Sequence, residues 1–338
     1  MNTSKFVAKR LGQLVLVLLG VTLVTFLVSH VVPGDPARML IGQRADEQTL
    51  AAMRQALGLD KPVWIQYLNY LWGLIHGDLG TSIRTQRPVL NELLSFFPAT
   101  VELTLFAMGF AVSIGILLGL LSATFRDTLT DHATRILAIL GVSTPLFWLG
   151  LMALLLFYKY LGWLPGSGRL DPLINPPTHI TGLYVVDSLI SGDWIALKSS
   201  ILHLVLPSLC LGYIQLATIA RLVRASMIEV LELDYIKTAS ANGIPRSRII
   251  YRHALRNALI PTVTIIGLTF GELLGGAILT ETIFAWPGMG KFVVDSISFL
   301  DFPAIMGFTL VVATVYVLIN MVVDLLYPLL DPQIKGVH

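Results

Sequence analysis

The chain has 338 residues, 55% of them hydrophobic and only 13% charged, with a formal net charge of +2 and a mean hydropathy of +0.76. A soluble domain carries roughly a quarter charged residues, so this composition excludes an ordinary water-soluble globule and makes lipid the main solvent. The single cysteine, Cys210, lies inside an apolar run and excludes an internal disulfide framework.

A helix needs about 20 apolar residues to cross the hydrocarbon core. Six segments qualify, at roughly 11–31, 99–124, 134–158, 201–222, 261–283 and 304–327. Lys5, Lys9 and Arg10 precede the first, and no small-x-small cleavage site follows it. It therefore reads as an uncleaved signal anchor with its N-terminus in the cytoplasm. The expected organisation is a tail and first span (1–32), an external helical segment (33–98), and a five-helix core (99–338) with a cytoplasmic loop over 223–260.

In the external segment, six basic residues balance six acidic ones between Pro33 and Pro98, so its side of the membrane follows from counting spans. Asp46 is expected to cap a helix running to Leu57 and stopped by Gly58. Pro62 is expected to open another that carries Trp64, Tyr67, Leu71 and Ile75. The Gly162–Ser200 connection, rich in Pro and Gly, also falls outside. Basic residues crowd between spans 4 and 5 (Arg221, Arg224, Lys237, Arg246, Arg248, Arg252 and Arg256), whereas Lys291 stands alone between spans 5 and 6. Positive charge favours the cytoplasmic side, which puts the former connection and both termini inside.

That connection contains DYIKTASANGIPRSRIIYRHALRNALIP, residues 234–261. Asp234 suits the N-cap of a short helix over Tyr235–Asn242, Gly243 suits the left-handed position that ends one, and Pro245 opens the next. Two readings stand side by side: a solvated loop whose charge only sets topology, or a ridge of small residues (Thr238, Ala239, Ser240, Ala241) that enters a cleft in a partner.

Catalytic chemistry is not legible in the chain. In PGMGKF, Lys291 is followed by Phe292 instead of Ser or Thr, and Ala285 stands where a phosphate loop needs its first glycine. No metal-ligand spacing or nucleophile-base-acid arrangement is seen. Span 5 is more informative. Gly267, Gly271 and Gly275 recur every fourth residue beside Gly276, a face that either packs tightly within the subunit or lies near a pore. An acidic residue at a helix centre costs about 3 kcal/mol in lipid, so Glu272 should bond a neighbouring helix or line an aqueous path. Glu102 and Asp324 read as interfacial or helix-helix contacts. Glu281, with Thr280 and Thr282, closes span 5, and the aromatics of FAWPGMG read as interface anchors or an external rim.

DYIKTASANG followed by HALRNALIP resembles the cytoplasmic loop of permease subunits from binding-protein-dependent ABC importers of the peptide, nickel and glutathione class. HVVPGDPAR, LGLDKPVWIQYLNYLWGLIHGDLGTSIRTQRPV, ILTETIFAWPGMGKFVVDSI and NMVVDLLYPLLDPQIK resemble the same class, in order, over nearly the whole chain. The resemblance implies an all-α, six-span permease of the type I importer fold in a bacterial inner membrane. It implies that residues 234–247 form the coupling helix, with Asp234, Tyr235, Thr238, Ala239, Ala241, Gly243 and Arg248 meeting a cytoplasmic ATPase. The family's Glu-Ala-Ala positions are here Lys237, Thr238 and Ala239, and His253-Ala254-Leu255-Arg256 replaces its Ile-x-Leu-Pro, so no acidic contact is carried over to position 237.

The implied partners are a second, similar permease, two ATPases that bind ATP and Mg, an external solute-binding protein and the bilayer, with no nucleic acid. The chain itself would be no enzyme and would hold no cofactor. Gly267, Gly271, Glu272 and Gly275 would lie near the translocation path. GDLGTSIRTQRPVL and NPPTHITGLYVVDSL look most like permeases for short peptides, D-alanyl-D-alanine included, while nickel and glutathione stay open. The rival from another class is an ion-driven secondary transporter; its usual two similar halves are not seen. A membrane anchor with no transport path is a third reading.

Overall fold

The computed structural model describes residues 3–31, 38, 46–56 and 58–330. Among them every element is a helix, apart from an isolated antiparallel bridge between Thr81 and Pro88. In chain order the helices are α1 Thr3–Val31, α2 Glu47–Ala56, α3 Val63–Ile75, α4 Val89–Thr124, α5 Leu129–Ser143, α6 Leu146–Ala153, α7 Tyr184–Ser191, α8 Trp194–Leu231, α9 Asp234–Ala241, α10 Leu255–Gly276, α11 Ile278–Ile283, α12 Met289–Ser298 and α13 Phe302–Leu330. α6 continues as a π-helical stretch, Leu154–Tyr160. α10 is entered through Arg246–Arg248 and a second π-helical stretch, Ile249–Ala254.

Five segments are long and apolar enough to cross a membrane: Gly12–Val31, Val89–Thr124, Trp194–Leu231, Arg246–Gly275 and Phe302–Asp324. The third predicted span is not one straight helix. α5 and α6 meet at a bend of 105°, and the cause is Pro145. Its ring disfavours helical geometry at the preceding residue, and Thr144 is extended at φ −86°, ψ 122°. Three other prolines, Pro98, Pro207 and Pro261, sit inside helices that continue through them. α4 therefore begins at Val89, ten residues before the predicted start at Ala99.

The residues divide into two compact units, Met1–Pro98 with Gly288–Val317, and Ala99–Pro287 with Leu318–His338. In the first, Asp46 caps α2 as expected, accepting from the Thr49 amide at 3.4 Å, and Pro62 opens α3. Leu57, residues 32–37 of the HVVPGDPAR block and the final DPQIK lie outside the described residues. The buried carboxylate of Asp301 accepts from Ser82 Oγ at 2.5 Å and from the Arg84 amide at 3.2 Å, tying the hairpin before α4 to the start of α13.

The second unit is organised around α4 and α8, and small residues let them approach. A Cβ on Gly119 would lie 2.6 Å from the Ala220 carbonyl oxygen, and one on Gly212 2.6 Å from that of Ala107. Each helix thus offers a glycine to the other's backbone. One apolar core joins α4, α8, α9 and α10 through Leu120, Ile219, Met227, Ile236 and Ala258, with Ile249 from the stretch that enters α10. Another, towards the opposite end of α4, gathers Leu103, Leu204, Leu273 and Trp286.

Candidate coupling site

Between α8 and α10 the chain turns into α9, turns again over Asn242–Pro245, and passes through Arg246–Arg248 and the π-helical stretch Ile249–Ala254. Ile236 is the buried residue of α9; it packs among Val223, Met227, Ile249 and Ile250. Asp234, Tyr235, Thr238, Ala241, Gly243 and Arg248 are exposed, and Ala239 is half-buried. The small-residue ridge therefore has an outward side, Thr238 and Ala241, and an inward one, Ala239.

Asp234 departs from its expected role. It is the first helical residue, Leu233 holds the cap position, and no side chain caps the helix. The Asp234 carboxylate instead takes the Lys237 ammonium at 2.8 Å. Gly243 ends the helix as expected, with φ +73°, a region that carries a steric cost for any residue with a Cβ. Its amide donates to the Ser240 carbonyl at 3.0 Å, and the Ile244 amide to that of Ala239 at 3.2 Å. Tyr235 is tied back by Asn257, whose Nδ2 donates to its hydroxyl at 2.8 Å. A cleft of about 320 Å³ beside α9 is lined by Thr124, Ile236, Ser240, Ile244 and Arg246.

The same end of the unit holds a buried ion pair. Arg224 of α8 forks Asp131 of α5, Nε to Oδ1 and Nη2 to Oδ2, each at 2.8 Å. Ser122 Oγ donates to Oδ1 at 2.5 Å and the Asp127 amide to Oδ2 at 3.1 Å. Asp131 is fully buried, and its oxygens are supplied with donors from α4, the α4–α5 turn and α8. Sequence reasoning missed this pair, because Arg224 was absorbed into the general basic charge of the connection. The available signal was an acid and a base standing at the edges of two apolar runs.

At the opposite end of α4, Glu102 is buried against Arg169, with Nη2 to Oε2 at 2.5 Å, and accepts from the Val185 amide at 2.8 Å. The Arg169 guanidinium lies 3.8 Å from the Tyr184 ring centroid. Thr100 donates to Glu281 at 2.7 Å, and Trp286 Nε1 to the Ala99 carbonyl at 2.8 Å. Phe284 and Trp286 are each 1% exposed, so they are core residues and not the interface anchors that their position in sequence implied. Nearby, Asp187 closes a loop by accepting from the Thr181 amide and hydroxyl and from the amides of Ile180 and Gly182. Burial alone raises its pKa, but these donors outweigh it and hold the carboxyl below its ordinary value.

Of the path residues, Gly267 meets the Val323 side chain of α13, Gly271 is buried and Gly275 half-buried, whereas Glu272 is exposed. The glycine face is turned into the chain and Glu272 out of it. Among the described residues, Glu272 makes no hydrogen bond or ion pair.

Residues 115–336 match the family model described as "Binding-protein-dependent transport system inner membrane component", and residues 3–104 its N-terminal companion. The chain is 54% identical over 326 residues to the probable D,D-dipeptide transport system permease protein of Escherichia coli K12, covering 96% of each. It is 48% identical to the dipeptide transport system permease protein of Alkalihalophilus pseudofirmus, over 98% of this chain and 99% of that one. It is 39% identical to the glutathione transport system permease protein of Salmonella choleraesuis, over 98% of each. The chain therefore belongs to the inner-membrane permeases of binding-protein-dependent ABC transport systems, multi-pass components that are not themselves the ATPase.

Proposed function

We propose that this permease forms, with a second and similar permease, the inward path of an importer for short peptides, and that α9 is its contact with a cytoplasmic ATPase. The observation that carries the reading is the two-sided build of α9. Ile236 anchors it in a core shared with α4, α8 and α10, while Thr238 and Ala241 stay exposed. A helix held on one side and bare on the other can pass a push from outside into the spans. Two ATPases that close on ATP and Mg would move α9, and α8 and α10 would follow.

The basic residues Lys237, Arg246, Arg248 and Arg252 at this end support its cytoplasmic placement, with both termini on that side. An external solute-binding protein would deliver the substrate. Similarity to a D,D-dipeptide permease at 54% identity favours short peptides, D,D-dipeptides among them. Glu272, bare on the surface of the single chain, fits a path wall that would attract the cationic amino end of a peptide.

The test is co-purification of the tagged chain with the proteins encoded beside it, as wild type and as Ala241→Asp. An ATPase that follows wild type and is lost from a variant of unchanged thermal stability supports the docking role. Uptake by vesicles holding the chain alone, without ATP and dependent on an ion gradient, would overturn the importer reading.

A further inference from the structure

α3 is a helix without charge, VWIQYLNYLWGLI, flanked by Asp60 and Lys61 before it and Asp78 after it. None of its residues is buried, and Trp64, Leu68, Trp72 and Ile75 are 64, 54, 66 and 77% exposed. Steps of four, four and three residues place them on one face. Four large apolar side chains on one exposed face need a non-aqueous neighbour.

What that neighbour is follows from what the other face touches. The Tyr67 hydroxyl lies 3.1 Å from Thr22 Oγ1 and donates to the Leu19 carbonyl at 3.4 Å. Phe26 meets the rings of Tyr67 and Tyr70 at centroid distances of 5.2 and 6.0 Å, and His30 Nε2 lies 3.1 Å from Gln66 Oε1. Leu19, Thr22 and Phe26 all belong to the Gly12–Val31 span. At 1.5 Å per residue, Phe26 lies about 7.5 Å, Thr22 about 13.5 Å and Leu19, reached by the tip of Tyr67, about 18 Å inside the Val31 end of that span. Side chains that meet these residues share their depth, so α3 lies within the bilayer profile. It cannot cross: its length is about 20 Å, and the hydrocarbon core is about 30 Å thick.

We propose that α3 is an interfacial helix, embedded in the leaflet where the Val31 end of α1 emerges, with Trp64, Leu68, Trp72 and Ile75 against lipid acyl chains. An amphipathic helix of this kind sits about 5–10 Å into the headgroup–acyl boundary, the depth that Phe26 assigns. Trp64 and Trp72 suit that boundary, where indole rings collect. Asp60, Lys61 and Asp78 return the chain to water at both ends. Part of the segment before α4 is then a lipid-bound brace on α1 and not a wholly water-exposed extension.

Spin labels on the full chain, assembled with its partner permease in lipid nanodiscs, test this. Leu68→Cys and Ile75→Cys would be labelled in a Cys210→Ala background and exposed to oxygen, which concentrates in lipid, and to a water-soluble nickel chelate. The expected result is severalfold greater accessibility to oxygen at both positions, with a depth of about 5–10 Å below the phosphates, and shallower labelling at Asn69→Cys. Greater accessibility to the chelate at both positions would overturn the proposal. So would labels shielded from both probes in the assembled complex but open in the chain alone, since the face would then belong to the second permease.

Discussion

Arg224 holds both carboxylate oxygens of Asp131, with Nε and Nη2 each at 2.8 Å, and the acid is fully buried while the base is 23% exposed. The pair joins α5 to α8 only ten residues before α9 begins. Its position makes it a strut between the α9 end of the unit and the spans.

A buried pair is weak evidence for net stability, but breaking one side of it is costly, because the remaining charge has no compensation. Arg224→Met is expected to destabilise the detergent-solubilised protein by about 3–5 kcal/mol. The double variant Asp131→Leu with Arg224→Met should lose clearly less than Arg224→Met alone. Thermal unfolding of the two singles and the double gives the cycle, and additive losses would show that the pair is not energetically coupled.

The two sides of α9 should separate stability from coupling. Ile236→Ala empties a site in the shared core and is expected to cost about 2–5 kcal/mol. Ala241→Asp lies on the exposed side and should stay within about 0.5 kcal/mol of wild type, yet abolish stimulation of ATP hydrolysis by substrate. If Ala241→Asp hydrolyses and transports normally, the exposed ridge is not where the ATPase binds.

Much of this architecture was legible because lipid imposes simple demands. Five long apolar runs appear as continuous helices, and Gly243 and Pro245 mark the end of α9 and the start of the next helix, because φ and ring sterics act locally. The bend at Thr144–Pro145 was not legible, since Pro98, Pro207 and Pro261 lie in equally apolar runs and leave their helices unbroken. The buried pairs Asp131–Arg224 and Glu102–Arg169 join residues 93 and 67 positions apart, and no local pattern announces a partner at such range. The evenly spaced glycines of span 5 are matched in α4 by Gly115 and Gly119, also four residues apart. Both face α8, at Leu216 and Ile219 and at Ala220 and Val223, whereas Gly212, the α8 glycine, stands outside such a pair.

Glycine positions in helices should therefore respond differently to the same substitution. A Cβ added at Gly20 in α1 would meet nothing within 4 Å, whereas one added at Gly119 would lie 2.6 Å from the Ala220 carbonyl oxygen. Gly20→Ala is expected to be neutral or to stabilise by up to about 1 kcal/mol through helix propensity. Gly119→Ala must push α4 and α8 apart and should cost about 1–3 kcal/mol. Equal shifts in melting temperature for the two variants would contradict the close approach.

Asp187 supplies a pH signature on the α7 side of the second unit. Its folded pKa lies below the ordinary value of 3.8, so its contribution is complete above that value and is lost only as the pH falls through the lower, folded one. Between neutrality and pH 5, Asp187→Asn should be less stable than wild type by a constant margin, one that narrows only under stronger acid. A margin that already shrinks near pH 6 would mean that the carboxyl is not held by the Thr181, Ile180 and Gly182 donors.

Glu272 offers the sharpest test of the path. A span over 261–283 would put it at the centre, but the span ends at Gly275 and its helix at Gly276, so Glu272 lies in the last turn. It is exposed in the single chain, with no hydrogen bond or ion pair among the described residues. A charge there is unfavourable against acyl chains and calls for water, a headgroup or a second permease beside it. If it faces the path and attracts a peptide ammonium, Glu272→Gln should leave thermal stability unchanged and cut uptake of a labelled dipeptide about tenfold, the loss of roughly 1.4 kcal/mol of attraction. The same variant should carry an N-acetylated dipeptide as well as wild type does, because that substrate has no charge to lose. Equal impairment with both substrates would instead place Glu272 in the contact with the second permease.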